Sequence, residues 1–228
     1  MTRLLYRDKR RAAPGEGIAR PILEVTGLGR RFGDREVLRD IDISLAPGER
    51  LAVTGPNGSG KTTLLRCVAG TLTPSSGRVH ICGHEAGTVQ ARRRLGMSLS
   101  QERSFYLRLS GRENLRYFAR LRYRREQAAR QIVEALIQEL ELRDIAAQRV
   151  DRCSTGMVQQ LALARALLGQ PALLALDEPT RSLDEGAVKR LWAALDRRPG
   201  TAVLIATHRG EDATHCGRRL DLAAEVAA

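Results

Sequence analysis

At 228 residues, with a formal net charge of +12 and a sequence pI near 10.6, the chain is long enough to bury one large core, and its field favours anionic neighbours. Hydrophobic residues at 43% and charged residues at 28% are those of a folded globular protein; no apolar run approaches the roughly 18 residues a membrane helix needs, and the charged N-terminus lacks the apolar stretch of a signal peptide. Aromatics at 4% argue against a base-stacking surface, and Cys67, Cys82, Cys153 and Cys216, scattered without a C-x-x-C pair, suggest neither a zinc site nor a disulfide framework, so a reducing cytosol fits best.

Residues 1–20 are basic, with Pro14, Gly15 and Gly17, and read as a flexible tail. Ile22 to Val25 begins the folded part as a strand, Phe32-Gly33 predicts a turn, and Ile41 to Leu45 alternates as a half-buried strand does. Pro47-Gly48 turns the chain into the apolar strand Leu51-Ala52-Val53. This opening predicts an antiparallel β layer attached to an α/β core.

The next nine residues, Gly55-Pro56-Asn57-Gly58-Ser59-Gly60-Lys61-Thr62-Thr63, match G-x-x-x-x-G-K-[ST] between that strand and a predicted helix over Lys61 to Gly70. Glycines let backbone N–H groups converge on phosphate oxygens, and a helix N-terminus adds a favourable dipole. Lys61 is one of only three lysines, with Lys9 and Lys189, in a chain that otherwise uses arginine. A compact ammonium suits β- and γ-phosphates better than a planar fork, and the Thr62 hydroxyl is a ligand for Mg²⁺. The stretch predicts a site for a nucleoside triphosphate with Mg²⁺.

Beyond the helix, Pro74 to Gly77 is a turn, Arg78 to Cys82 a strand, and Leu95 to Leu99 another strand ending near Gln101. From about 102 to 165 the character is helical and charged. Leu115, Phe118 and Ala119 mark one apolar face and Ile132, Val133, Leu136, Ile137 and Leu140 a second, which predicts an inserted helical sub-lobe. A helix over Ser154 to Leu168, a buried strand over Ala172 to Leu176, a helix over Glu185 to Leu195 and a strand over Ala202 to Ala206 restore the α/β pattern. After His208 no further strand is evident, and 211–228 reads as a short extension without room for a regulatory domain. The fold class is α/β: a P-loop NTPase core, an N-terminal antiparallel β layer and an inserted helical sub-lobe.

Open α/β sheets bind ligands outside the carboxyl ends of their strands. The phosphate loop, Gln101, Asp177-Glu178 and His208 all follow predicted strands, so the fold would gather them at one edge. Hydrolysis of ATP needs charge neutralisation, a held metal and an oriented water. Asp177 is placed to hold Mg²⁺, Glu178 to act as general base or water-orienting group, and His208 to touch the γ-phosphate.

These residues, with Cys153-Ser154-Thr155-Gly156-Met157 and Ser182-Leu183-Asp184 in order between them, resemble the nucleotide-binding domain of the ATP-binding-cassette (ABC) superfamily over residues 21–210. The resemblance implies that Gln101 lies near Mg²⁺ and the attacking water, that Ser154 and Gly156 contact ATP held by an opposite subunit, and that Asp184 links the two sites. Phe32 sits where such domains often stack an aromatic on adenine; a core phenylalanine is the other reading. The signature departs from Leu-Ser-Gly-Gly-Gln at Thr155 and Met157, and Arg181-Ser182 stand where Ser-Ala is more typical. Ser-x-Gly-Met, with Glu102 to Tyr106 and Arg112 to Leu115, resembles a bacterial ABC-2-type exporter branch.

With one phosphate loop and one signature the chain has only half-sites, so the resemblance implies a second ATPase chain, identical or related. It further implies a separate transmembrane permease subunit that this chain would power from the inner face of the membrane, with no nucleic acid as partner. Two alternatives stand beside it: a soluble ABC-type ATPase acting on ribosome or nucleic acid, favoured by the charge, and a non-hydrolysing regulatory subunit, favoured by the altered signature.

Overall fold

The computed structural model describes residues 20–99 and 104–222. Two sheets organise them. The first is antiparallel, in the order β2-β1-β4-β5, from β1 (Leu23–Phe32), β2 (Arg35–Leu45), β4 (Ser76–Ile81) and the short β5 (His84–Glu85). The second is parallel, in the order β6-β7-β8-β3-β9, from β3 (Arg50–Thr54), β6 (Leu95–Ser98), β7 (Leu173–Asp177), β8 (Ala202–Ala206) and β9 (Arg218–Asp221).

The two sheets differ in the way their environments dictate. In β2 the residues facing the core, Leu38, Ile41, Ile43 and Leu45, are buried while intervening positions face outward. Every residue of β7 and β8 is buried, because central parallel strands are covered on both faces and need continuous apolar runs. Helix α1 (Lys61–Val68) packs Leu64, Leu65 and Val68 into a core shared by both sheets.

On the other face of the parallel sheet lies a second core, built by α6 (Thr155–Leu167), α7 (Glu185–Asp196) and the helical insertion of α3 (Gly111–Arg120), α4 (Glu126–Glu139) and α5 (Arg143–Ala147). Ser110 opens α3 with a capping box closed by Glu113, which satisfies two N–H groups that a helix start otherwise leaves without partners. Helix α6 lies close on β6: a Cβ at Gly96 would come 1.9 Å from the Ala166 carbonyl oxygen, so only glycine fits there. Arg198 and Arg197, just past α7, bond the Glu139 carboxylate at the end of α4, at 2.7 and 3.0 Å, and fasten the insertion to the core. Among the described residues no helix is long and apolar enough to cross a membrane.

The structure departs from the sequence reading in places where apolar patterning is weak. The first strand runs to Phe32 rather than Val25, carried past Gly27 and Gly29 by shifts of register against its neighbours. A polar helix, α2 (Val89–Arg94), precedes β6. After His208 the chain forms α8 (Gly210–Thr214) and then β9, which pairs in parallel with β3, with Val53 opposite Leu220. Strand β9 was not evident beforehand because only Leu220 of its four residues is buried.

Candidate functional site

Strands β3, β7 and β8 are in parallel register, with Val53 opposite Ala206 and Ala206 opposite Asp177, so the loops leaving them emerge side by side. Between these loops and the antiparallel sheet lies a cleft of about 530 Å³. Its lining includes Asn57, Gly58, Gly60, Lys61, Thr62 and Thr63 from the phosphate loop, Asp177, Glu178 and His208 from the strand ends, and Phe32 at the far side. Arg35, Val37 and Arg181, which sequence reasoning did not select, line it as well.

The loop's shape is imposed by backbone conformation. Gly55, Gly58 and Gly60 have φ of 145°, 83° and 99°, in the region L side chains rarely adopt. Gly60 caps α1 without offering a side chain, and a Cβ there would meet Leu38 Cδ2 at 2.9 Å and Val37 O at 3.0 Å. The first N–H groups of α1 are thus left for a ligand, at the positive end of the helix dipole. Lys61, only 7% exposed, donates to Gly55 O at 2.8 Å and Pro56 O at 3.0 Å, which centres its ammonium on the loop.

Thr62 Oγ1 donates to Asp177 Oδ2 at 2.9 Å. A hydroxyl and a carboxylate oxygen side by side at the cleft are hard oxygen donors, the set that suits Mg²⁺ when waters and phosphates complete its shell. Glu178 follows in a left-handed backbone conformation, φ 48°, which costs a non-glycine residue of order 1 kcal/mol and is held by its own N–H donating to Ala206 O at 2.8 Å. That twist aims two adjacent carboxylates differently. Glu178 Oε1 accepts from His208 N at 3.1 Å and lies 2.8 Å from His208 Nδ1. A carboxylate only accepts, so the proton of that contact sits on Nδ1, while the imidazole stays half exposed at the cleft.

Phe32 is 47% exposed, with the Arg30 guanidinium 4.5 Å from its ring centroid, so it belongs to the cleft wall and not to the core. Ser154, Gly156 and Asp184 do not join this cleft. Ser154 and Asp184 stand exposed at the N-caps of α6 and α7, where each side chain accepts a backbone N–H, from Met157 at 3.2 Å and Ala187 at 2.7 Å. Met157 closes a capping box through sulfur, accepting from Ser154 N at 3.3 Å, so the residue in glutamine's usual place still serves the helix start. Gly156 lies against the turn before α7: a Cβ there would be 2.3 Å from Ser182 O. Gln101 lies outside the described residues.

Behind the cleft sits a group that no local spacing signalled. Asp212, on α8, is 2% exposed and accepts from Thr180 Oγ1 at 2.8 Å and from Thr207 Oγ1 at 2.9 Å.

Comparison with known proteins agrees with this geometry. The ABC transporter family profile matches residues 38–181. An uncharacterized ABC transporter ATP-binding protein, YdbJ of Bacillus subtilis, is 37% identical over 84% of this chain and 62% of its own length. The daunorubicin resistance ATP-binding protein DrrA3 of Streptomyces coeruleorubidus is 34% identical over 88% of this chain and 64% of its own. The chain therefore spans less than two thirds of the length of these two curated relatives. A solved structure described as the ATP binding subunit of an ABC transporter superposes with a TM-score of 0.80 at 27% identity, covering 88% of this chain and 85% of that one. The chain belongs to the ABC transporter family, as one of its ATP-binding domains.

Proposed function

We propose that this chain hydrolyses ATP to power a separate membrane-spanning subunit, that the ATPase domain begins near residue 21 and runs past the expected end at 210 to include α8 and the sheet strand β9, and that the direction of transport is export. The observation that carries the reading is the convergence of Lys61, the Thr62–Asp177 pair and the Glu178–His208 pair on one cleft.

In this reading the backbone of Gly55 to Thr63 and the Lys61 ammonium hold the β- and γ-phosphates, and Phe32 stacks on adenine. Thr62, Asp177 and Gln101 would hold Mg²⁺, which when bound supplies charge neutralisation at the phosphates. Glu178 orients a water and takes its proton as that water attacks the γ-phosphorus, while the bond from phosphorus to the β,γ-bridging oxygen breaks and ADP departs with that oxygen. His208 steadies the Glu178 carboxylate through Nδ1–H, and with a proton on both ring nitrogens it would also donate from Nε2 to the γ-phosphate. Charge builds on the phosphoryl oxygens in the transition state, so fixed donors around it do most of the work.

Ser154, Gly156 and Asp184 stand outside their own chain's cleft, on exposed helix starts, and this supports a composite site. Two chains, identical or related, would close head to tail so that Ser154 and Gly156 of one reach the ATP of the other, with Asp184 between the sites. The signature Ser-x-Gly-Met and the likeness to DrrA3, named for drug resistance, support export. The chain would then work at the inner face of the membrane, held there by its permease partner, without nucleic acid.

Mixing two inactive variants tests the arrangement. Lys61→Ala and Ser154→Ala chains should each lack ATPase activity, and an equimolar mixture should regain part of it, since one of the two sites in a mixed dimer is intact. A mixture as inactive as its components would refute the composite site. Glu178→Gln should bind ATP, stop turnover and hold the dimer on a sizing column; normal turnover in it would remove the base assignment.

A further inference from the structure

We infer that Asp212 is a positioning residue for hydrolysis: its buried carboxylate holds the Thr180 and Thr207 hydroxyls and thereby sets where Glu178 and His208 stand. The inference rests on the hydrolytic reading above.

The two threonines flank the reacting pair. Thr180 lies just beyond Glu178 in the loop after β7, and Thr207 immediately precedes His208 after β8. Both are buried, at 1% and 0% exposure, and Asp212 reaches them from a third segment. Thr180 Oγ1 is 2.8 Å from each Asp212 oxygen and Thr207 Oγ1 is 2.9 Å from Oδ2, so one carboxylate ties both loops together. Helix α8 is itself fastened from behind: the His215 ring at its end stacks on Trp192 of α7, with centroids 4.0 Å apart and planes 9° from parallel.

The geometry also apportions one proton. Thr207 Oγ1 accepts from Arg209 N at 3.0 Å and has a single hydrogen to give. Two carboxylates compete for it, Asp212 Oδ2 at 2.9 Å and Glu178 Oε2 at 3.4 Å. The shorter contact directs the proton to Asp212, which leaves Glu178 Oε2 available to a water. Without that acceptor the hydroxyl would turn to Glu178, occupying the oxygen the water needs, and Thr180 would lose its tie. Among the described residues the Asp212 carboxylate is held by hydroxyls and by no cation, and a buried carboxylate so held is costly to desolvate. A merely structural role would be filled at less cost by an uncharged side chain.

The test uses the full chain, with steady-state ATPase activity and ATP affinity measured separately. Asp212→Asn preserves volume but offers one acceptor oxygen for two hydroxyls. It should lower kcat roughly 10- to 100-fold, the scale of a misplaced catalytic group, and leave the ATP KM within about 2-fold. Thr207→Val should do the same and Thr207→Ser should recover most of the loss. The double variant Asp212→Asn with Thr207→Val should be no slower than the worse single one, since the Thr207 hydroxyl is one of the two through which Asp212 acts. Wild-type kcat in Asp212→Asn, a KM that rises in step with the loss, or a double variant at the product of the two single losses would overturn the inference. If Asp212→Asn does not fold, the Thr207→Val and Thr207→Ser pair decides it in the same way. A wild-type chain with no turnover would overturn the hydrolytic reading itself, whereas an active wild type with an equally active Asp212→Asn overturns only the role of Asp212.

Discussion

Gly156→Ala tests a contact that the signature residues make within their own chain. A methyl there would lie 2.3 Å from Ser182 O, about 1 Å inside the 3.4 Å at which ordinary van der Waals contact begins. The obstacle is backbone, in a turn closed by Leu183 N donating to Thr180 O at 3.1 Å, so no side-chain rotation relieves it. Either the first turn of α6 tilts or the Arg181 to Asp184 segment moves. Overpacking of this kind costs about 1–3 kcal/mol. For a chain of this length each kcal/mol lowers Tm by about 2–4 °C, so a fall of about 2–12 °C is expected in a calorimetric or fluorescence melt. The substitution keeps the residue's N–H, so any loss of activity comes from displacement and not from a missing phosphate donor. ATP affinity of the isolated chain should stay within about 2-fold, because Gly156 lies outside its cleft, while ATPase activity falls at least 10-fold as the Ser154 and Asp184 helix starts lose register. A Tm within about 1 °C of wild type with full ATPase activity would refute the packing argument.

Two further substitutions probe the exposed ring on the cleft wall, proposed above to stack on adenine, and the fastening of the helical insertion. Phe32→Ala removes an exposed ring, so it should leave Tm nearly unchanged and weaken ATP binding about 10-fold in a nucleotide titration, the value of one aromatic stack, with Phe32→Tyr retaining most of it. Hydrogen bonds from Arg198, joined by Arg197, hold the Glu139 carboxyl below the usual carboxylate range. A carboxyl whose folded pKa is depressed contributes stability above its unfolded value of about 4.3 and loses it as pH falls through the folded value. With both partners only about one fifth exposed, Glu139→Gln should cost about 1 kcal/mol at neutral pH, and the gap in Tm from wild type should close below roughly pH 4.

Where one local pattern carried the information, sequence and structure agree. Ala202 to Ala206 is β8, and Ala172 to Leu176 differs from β7 by one residue, because strands covered on both faces require unbroken apolar runs. The phosphate loop is legible for a similar reason: three glycines with positive φ and a single lysine are demanded by backbone geometry and charge, with little input from distant residues. Where burial is partial the reading failed. Strand β9 is Arg-Arg-Leu-Asp on a sheet edge, and only pairing with β3 makes it a strand. Phe32 could be placed in core or cleft on its own chemistry, and only the packing of the two sheets left it 47% exposed.

The phosphate loop and the order of the motifs identified this chain as an ATP-binding cassette, since each motif rests on residues close together in sequence. Tertiary structure decided what lies between those motifs. It brought Thr62 to Asp177, pressed Gly156 against Ser182, and set Asp212 between two threonines that flank Glu178 and His208. Such contacts join strand ends and helix starts that the parallel sheet brings together, and no spacing along the chain encodes a distance across it.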